Sequence, residues 1–554
     1  MLPFIDDFFE YPATLTGASI DELKLIASFL LSYPLSAVLK RIPDRQPWMK
    51  NVFTIAVSLF YLVGLFDLWS GLQTLLFSAA GTYAIVYYLD GSLMPWIGFI
   101  FLMGHMSISH IYRQILNDPS AVDVTGAQMV LVMKLCTFCW NVHDGRLPQE
   151  QLSDAQKYTA IRELPGFLDY MGYVLFFPSL LAGPSFEYIY YHRWIDTTLF
   201  DIPPGTDPSK APRTRKKRKI PRSGRPATKK LVAGLGWILL FIRLSSVYFP
   251  EAVLGQDFLQ YSFFRRMWIV HMLGFTTRLK YYGVWTLTEG ACILSGMGYN
   301  GFDPKTGKVF WNRLENVDPW RQETAQNVRG YLASWNKNTN HWLRNYVYLR
   351  VTPKGKKPGF RASLATFVTS AFWHGFYPGY YLTFVFASFI QTAAKNVRRY
   401  IRPFFLTPDG TKPTPYKRYY DIISLLATQS IASFTVLPFI LLSFHDSILV
   451  WSRVYFYGIA CTTASFIFFA SPAKAFLVKH MKSRSKRAFV SSTEEPQRPP
   501  TLGLPNDPER EFEEAVQEIK AEIEARRRRG SIISMPTGTQ LKAAVQEKKG
   551  RRLL

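Results

Sequence analysis

Cysteine, acidic residues and internal repetition are all in short supply in this 554-residue chain, and each shortage excludes something. Cys136, Cys139, Cys292 and Cys461 are too few and too scattered for a disulfide framework, which fits cytosol-facing or membrane-buried positions. The "CTFC" pair has the spacing of half a zinc site or of a redox pair. It lies in the apolar run "VLVMKLCTFCW" with no second pair, so the thiols read as packing groups and no metal is expected. The N-terminal "MLPFIDDFFEYP" lacks the basic start of a secretory signal peptide, so the first apolar span is expected to act as its own signal anchor. No repeat relates one half to the other, which argues against a transporter built from inverted halves, and a channel or transporter is the weaker reading. Acids number 40 against 65 Lys and Arg, for a net charge of +25. The imbalance is local: "SKAPRTRKKRKIPRSGRPATKK" (209–230) has eleven basic residues and no acid, with further basic runs at 479–487 and 526–529. Beside membrane spans such runs stay cytosolic and lie against anionic headgroups, so membrane lipids are expected partners and nucleic acid is not.

What the chain has in abundance is apolar and aromatic surface, 48% and 16% of residues. Its near-zero mean hydropathy averages two populations. Residues 20–475 carry long runs such as "LKLIASFLLSYPLSAVL", "LVAGLGWILLFIRLSSVYF" and "IASFTVLPFILLSF", whereas 476–554 are almost wholly polar. A spanning helix needs roughly 20 apolar residues, and about eleven segments approach that length. The expected fold is all-α: a polytopic helical membrane protein, with 1–475 as the membrane core and 476–554 as a charged cytosolic tail.

Within the core, 1–185 is expected to hold about six spans, 186–230 a polar Pro-rich loop, and 231–300 and 361–475 further membrane segments. Residues 301–360 are too polar to span and too aromatic to be slack; Trp311, Trp320, Trp335 and Trp342 predict short helices at headgroup level. Simple alternation puts the basic loop and the basic tail on opposite sides, contrary to the positive-inside rule. One apparent span, around 127–142 or at the kinked 172–185, must therefore be re-entrant or miscounted. In the tail, 507–530 predicts a helix, with Asp507 as cap, Pro508 in the first turn, four arginines at the end and Gly530 beyond. The "RRGS" at 528–531 resembles a basophilic kinase site at Ser531.

Two polar stretches stand out against this background, "SWNKNTNHW" (334–342) and "SAFWHGFYPGYY" (370–381). His374 of the second lies where neighbouring residues look destined for lipid, and an ionisable group at membrane depth is a functional-site hypothesis by default. A lone histidine on an apolar face is more often a hydrogen-bonded core residue, and His105, His110 and His271 have similar settings. The two stretches together resemble the membrane-bound O-acyltransferase family, in which an asparagine six residues before a tryptophan accompanies a Trp-His-Gly signature. "LLAGPSFEY" (180–188) and "GMGYNGF" (296–302) are similar to family segments around the lipid chamber. The resemblance covers roughly 20–475 and is nearest to the lysophospholipid acyltransferases, especially the fungal broad-specificity type. The Phe-Tyr-x-Asp-Trp-Trp-Asn signature of the sterol and diacylglycerol branch is absent, which weakens a neutral-lipid acceptor; acylation of a sterol, diacylglycerol or protein is the second enzyme reading.

The resemblance implies His374 as catalytic histidine, Asn336 as its partner, and a buried chamber reached by acyl-CoA from the cytosol and by the acceptor, a lysophospholipid, from the bilayer. It also implies an endoplasmic-reticulum membrane and no cofactor beyond the acyl-CoA co-substrate. Trp335, Trp342 and Trp373 are then expected at the substrate. Arg344, Lys356 and Lys357, with Arg350, Lys354 and Arg361 nearby, are candidates for CoA phosphates, against a plainer reading as a positive-inside border. Elementary chemistry agrees: an alcohol attacks a thioester only once a base takes its proton, and imidazole, with a pKa near 6.5, suits that task. Asparagine has donors and acceptors with which to orient a hydroxyl or bind an oxyanion. Ser370, four residues before His374, permits an acyl-enzyme route if helical, and His341 is a second base candidate.

Overall fold

An apolar chain in a bilayer must satisfy its backbone polar groups within itself, which leaves helices and closed barrels. This chain takes the first route. The computed structural model describes residues 4–16, 19–116, 123–352, 359–407 and 412–484. Among these, β structure is limited to three isolated bridges, and the rest is helix and connecting loop. Five helices are long and apolar enough to cross a membrane: Ile20–Leu39, Pro47–Leu65, Met94–Leu116, Gly224–Leu254 and Lys417–Leu441. Phe444–Arg453 and Tyr457–Ala470 together form a sixth candidate, bent by 76° where Tyr455 and Phe456 adopt positive φ. The chain is thus a multi-pass helical membrane protein.

Helices of similar length but more polar composition pack among these: Trp69–Tyr88, Thr125–Gly145, Phe263–Ser295 and Pro378–Tyr400. Thr125–Gly145 shows how this is tolerated. Nearly all its side chains are covered by protein, so its polar groups meet protein partners instead of lipid. Lys134 donates to the Tyr173 carbonyl, Asn141 accepts from the Tyr346 hydroxyl at 2.9 Å, and Asp144 is gripped by Arg350. The Gly224–Ser245 and Phe263–Ser295 helices approach closely because Gly234 and Gly283 lie in their interface. A Cβ on Gly234 would be 2.7 Å from Leu287, and one on Gly283 2.4 Å from Ile238.

Three expectations about the connections change. The kinked segment 172–185 is no span. An eight-residue helix, Phe167–Val174, and a single turn, Phe177–Ser179, lead into irregular but buried chain. Its exposed carbonyls are taken up by Lys134, Ser58 and Tyr173, the shelter that non-helical backbone needs at membrane depth. Residues 1–185 therefore hold five long helices instead of about six. The supposed loop 186–230 begins as core: Tyr188–Ile195 is helical, and Tyr191 and Trp194 are fully buried, with Trp194 Nε1 donating to the Ser295 carbonyl at 3.1 Å. Its basic stretch is a closed hairpin in which Arg222 N–H donates to Arg213 O at 2.9 Å and Arg218 caps the Arg41 and Ile42 carbonyls.

The third change concerns 301–360. The short helices are there, at Pro319–Glu323, Val328–Ser334 and Lys337–Trp342, followed by a π-turn at Leu343–Tyr348. They do not all lie at a surface. Trp320 is 79% exposed, but Trp342 is 1% exposed and packs on Trp373, with ring centroids 6.1 Å apart. Charge holds the segment in place: Arg278 of the Phe263–Ser295 helix reaches Glu323, and Glu315 takes both Lys337 and, at 4.0 Å, Lys230, which is itself paired with buried Glu289. The expected boundary at 475/476 falls inside the last described helix, Ala473–Arg484. The tail helix at 507–530 and Ser531 lie outside the described residues, as do Lys354, Lys356 and Lys357.

Candidate active site

His374 is the last residue of the Phe360–His374 helix, and the residue after it explains why the helix stops. Gly375 has φ +125° and ψ −162°, open in practice only to glycine, and a Cβ there would meet His110 Nδ1 at 3.2 Å. Pro378 then begins the next helix, Pro378–Tyr400, in its first turn. The histidine is thereby fixed at a sharp break between two helices.

Its ring is oriented from one side. Nδ1 lies 2.7 Å from the Ser370 carbonyl oxygen. A carbonyl only accepts, so Nδ1 carries the proton and the lone pair is on Nε2. Aromatic rings surround the imidazole: Trp373 at 4.7 Å, Phe384 at 4.8 Å, Phe439 at 5.2 Å and Tyr380 at 5.8 Å between centroids. Trp373 is held at both ends, its indole N–H donating to the Met129 carbonyl at 3.1 Å and its carbonyl accepting from His110 Nε2 at 3.0 Å.

Asn336 comes from the polar segment and sits in the left-handed region, φ 42° and ψ 55°, immediately before the Lys337–Trp342 helix. Apart from glycine, asparagine adopts this conformation most readily. The turn is secured around it: Asn340 N–H donates to the Asn336 carbonyl at 3.0 Å, the Asn340 amide to Leu332 O and Trp335 O, and Lys337 N–H to Asn316 O at 2.8 Å. Among the described residues the Asn336 side-chain amide makes no capping hydrogen bond of its own.

Asn336 and His374 line one cavity of about 950 Å³, otherwise walled mainly by aromatic and aliphatic side chains, among them Trp335 and Trp373. Behind the 334–343 segment lies a second cavity of about 1050 Å³ with a different character, lined by Lys134, Glu187, Arg313, Arg321, Lys337 and His341, among others. The segment is a partition. Trp335, Asn336, Thr339 and Leu343 face the apolar side, and Lys337, Asn338, His341 and Trp342 the polar side.

The sequence-predicted residues divide accordingly. Asn336, Trp335, Trp373 and His374 are brought together; Trp342 borders the polar cavity and buttresses Trp373. Arg344 is 5% exposed and lines neither cavity, and Arg350 is committed to Asp144 while stacking on Trp140. Ser370 meets the imidazole through its carbonyl, at the nitrogen that already carries a proton, which is the wrong end for activating a serine hydroxyl. His341 Nε2 accepts from the Asn345 amide at 2.8 Å, with that amide oriented by Arg344, so its lone pair is engaged. His105 and His271 are half-buried and bonded to Ser78 and Ser433. Sequence reasoning noted His110 only as one of several histidines in apolar runs, whereas it anchors the Trp373 carbonyl, and it passed over the basic lining of the polar cavity. Four of those residues, Arg313, Arg321, Arg329 and Lys337, lie among acids and amides that look like any solvated stretch, and Lys134 and Arg398 join them from distant helices.

A family model described as the membrane-bound O-acyltransferase family matches residues 119–437. The lysophospholipid acyltransferase of Schizosaccharomyces pombe is 44% identical over 495 residues, 89% of this chain and 95% of that protein. That of Saccharomyces cerevisiae is 42% identical over 504 residues, 89% of this chain and 81% of its own. The human membrane-bound glycerophospholipid O-acyltransferase 1 is 32% identical over 386 residues, 68% and 74% of the two chains. The helical architecture, the paired motifs on one cavity and the match across more than half of the sequence converge: the chain belongs to the membrane-bound O-acyltransferase family.

Proposed function

We propose that this protein transfers the acyl group of acyl-CoA to the free hydroxyl of a lysophospholipid, with His374 as general base and Asn336 as its partner. The observation that carries the reading is that a histidine with its lone pair on Nε2 and an asparagine with an uncommitted amide open onto the same cavity. The acceptor hydroxyl gives its proton to Nε2 as its oxygen attacks the thioester carbonyl carbon. The Asn336 amide donates to the oxyanion that develops, or orients the hydroxyl. The carbonyl re-forms as the C–S bond breaks, and the imidazolium returns the proton to the sulfur. A thiol with a pKa of about 8.5 leaves easily, so the route needs no cofactor besides the co-substrate. Trp335 and Trp373 line the acyl-bearing side. The polar cavity, with Arg313, Arg321 and Lys337, suits the CoA phosphates. The lysophospholipid acceptor follows the printed names of the fungal relatives.

If the more polar long helices and the short Phe360–His374 helix also cross the bilayer, the count is the expected figure of about eleven, five before the basic hairpin and six after it. An even number between hairpin and tail puts both basic segments on one side, the cytosol by the positive-inside rule, and removes the conflict that the sequence raised. The membrane is that of the endoplasmic reticulum in this reading.

The test is a purified-protein assay of labelled acyl-CoA against a panel of lysophospholipids, diacylglycerol and sterol. Labelled phospholipid and an equivalent of free CoA are expected. Transfer only to a neutral lipid would overturn the acceptor.

A further inference from the structure

One buried cation on the wall of the His374 cavity has no part in the chemistry so far. Arg278, within the Phe263–Ser295 helix, is 4% exposed. Its Nε and Nη2 each donate to one oxygen of Glu323 at 2.8 Å, and the Tyr282 hydroxyl donates to the same carboxylate. The third nitrogen, Nη1, is buried and has no hydrogen-bond partner. It stands 3.4 Å from where a Cβ on Gly274 would be, and Gly274, Arg278 and Tyr331 all line the cavity that holds Asn336 and His374. The Tyr331 hydroxyl is a neighbouring candidate acceptor for the guanidinium and interacts with it, but outside the geometry of a formed hydrogen bond to Nη1.

A guanidinium has five donors in a rigid fork, and Glu323 uses one edge of it. A buried donor left unpaired is costly, so a partner is expected at the free edge. The other charged residues on the cavity wall are peripheral: Arg113 is 46% exposed on its side chain and lies 3.6 Å from Asp123, and Glu251 is exposed. Arg278 is therefore the buried cation among the described lining residues.

We propose that Arg278 Nη1 is the anchor for the phosphodiester of the acceptor lipid. The inference rests on the acceptor being a lysophospholipid. Such a lipid cannot deliver its hydroxyl to His374 without bringing its phosphate into the same low-dielectric chamber, because only the glycerol backbone separates them. A buried anion needs a hydrogen-bonded counter-charge, and an arginine edge fits phosphate oxygens. Glu323 holds the guanidinium in register through its other edge. The arrangement also confers selectivity: a diacylglycerol or sterol leaves Nη1 unpaired, and a site built to hydrogen-bond a group discriminates against analogues lacking it. CoA carries phosphate of the same chemistry, but the polar cavity behind the partition provides for its several charges.

The test uses the full-length protein in nanodiscs of neutral lipid. Two non-reacting probes with the same alkyl chain, an alkylphosphocholine and an alkylglycerol, are titrated directly, with CoA titrated separately. The wild-type protein should bind the alkylphosphocholine at least about tenfold more tightly than the alkylglycerol, given the strength of a hydrogen bond to a charged group. Arg278→Gln alone strands the Glu323 carboxylate, so the informative variant is Arg278→Gln with Glu323→Gln, which removes both charges and keeps an amide pair. It should lose about ten- to hundredfold in alkylphosphocholine affinity, with alkylglycerol and CoA affinities unchanged. Equal binding of the two probes by wild type overturns the proposal, whether or not the variant folds. So does a folded double variant that keeps its alkylphosphocholine affinity, or one that loses CoA binding in parallel. A protein that prefers the phosphate-bearing probe but acylates no lysophospholipid would sink the acceptor reading and leave the phosphate site standing.

Discussion

Replacing Asn336 with glycine as well as with alanine separates its chemistry from its backbone. At φ 42° and ψ 55° the position is left-handed. An ordinary L-residue pays about 1–2 kcal/mol there, asparagine less, and glycine almost nothing. Asn336→Ala therefore removes the amide and strains the turn that carries the partition. Asn336→Gly removes the amide and relaxes the turn, at an entropic cost of about 0.5–1 kcal/mol that offsets the relief. The turn itself survives either change, because Asn340 and the Lys337–Asn316 bond hold it independently. Losing one oxyanion donor costs about 10²–10³ in kcat. If the amide acts in the transition state, both variants fall by that factor, even though only alanine lowers the thermal midpoint. The assay is single-turnover acyl transfer at saturating acyl-CoA, beside thermal unfolding of the same preparations. A glycine variant that keeps more than about a tenth of wild-type turnover while alanine is inactive would refute the role, because strain alone would then explain the loss.

The remaining predictions concern the other groups of the site and the tail. His374→Ala is expected to lose about 10²–10⁴ in turnover with the fold retained, and the double variant with Asn336→Ala should lose little more, since the two serve one transition state; additive losses measured by the same assay would argue against a shared role. Ser370→Ala and His341→Ala should stay within a few-fold of wild type, because neither side chain presents a free base or an activated hydroxyl; a trapped acyl-Ser370 would redirect the mechanism to a covalent one. Gly375→Ala should cost about 1–3 kcal/mol from its backbone conformation, crowd His110 and displace His374, lowering both thermal midpoint and turnover; a variant as stable and active as wild type would contradict the geometry at that break. Deleting 490–554 should leave specific activity within a few-fold in a monodisperse preparation, and inactivity there would make the tail part of the enzyme.

Much of the architecture was legible because membrane solvation writes it into composition. A run such as "LVAGLGWILLFIRLSSVYF" can only be helical in lipid, and the basic hairpin at 213–222 can only stay out of it. The same rule fails for helices that other helices surround. Thr125–Gly145 is polar enough at Lys134, Asn141 and Asp144 to look re-entrant, yet it is a continuous helix because protein, in place of lipid, is its solvent. Tyr188–Ile195 reads as loop for the converse reason: it is too short for a hydropathy signal, and its burial comes from packing against segments distant in sequence, as with Trp194 on the Ser295 carbonyl.

The chain's own residues determined that it is a helical membrane protein, through local pattern and composition, and two short motifs singled out His374 and Asn336 as candidates; that His374 closes one helix at the Gly375 break, instead of opening the next, came from the structure. Tertiary structure alone decided that the two motifs face one cavity, that the 334–343 segment partitions an apolar space from a polar one, that Arg344 and Arg350 turn away from both, and that Arg278 keeps one nitrogen unpaired on the wall. Each of these depends on which side chain from a remote helix arrives first to take a hydrogen bond or fill a volume. That outcome is set by three-dimensional packing and leaves no period or spacing along the chain.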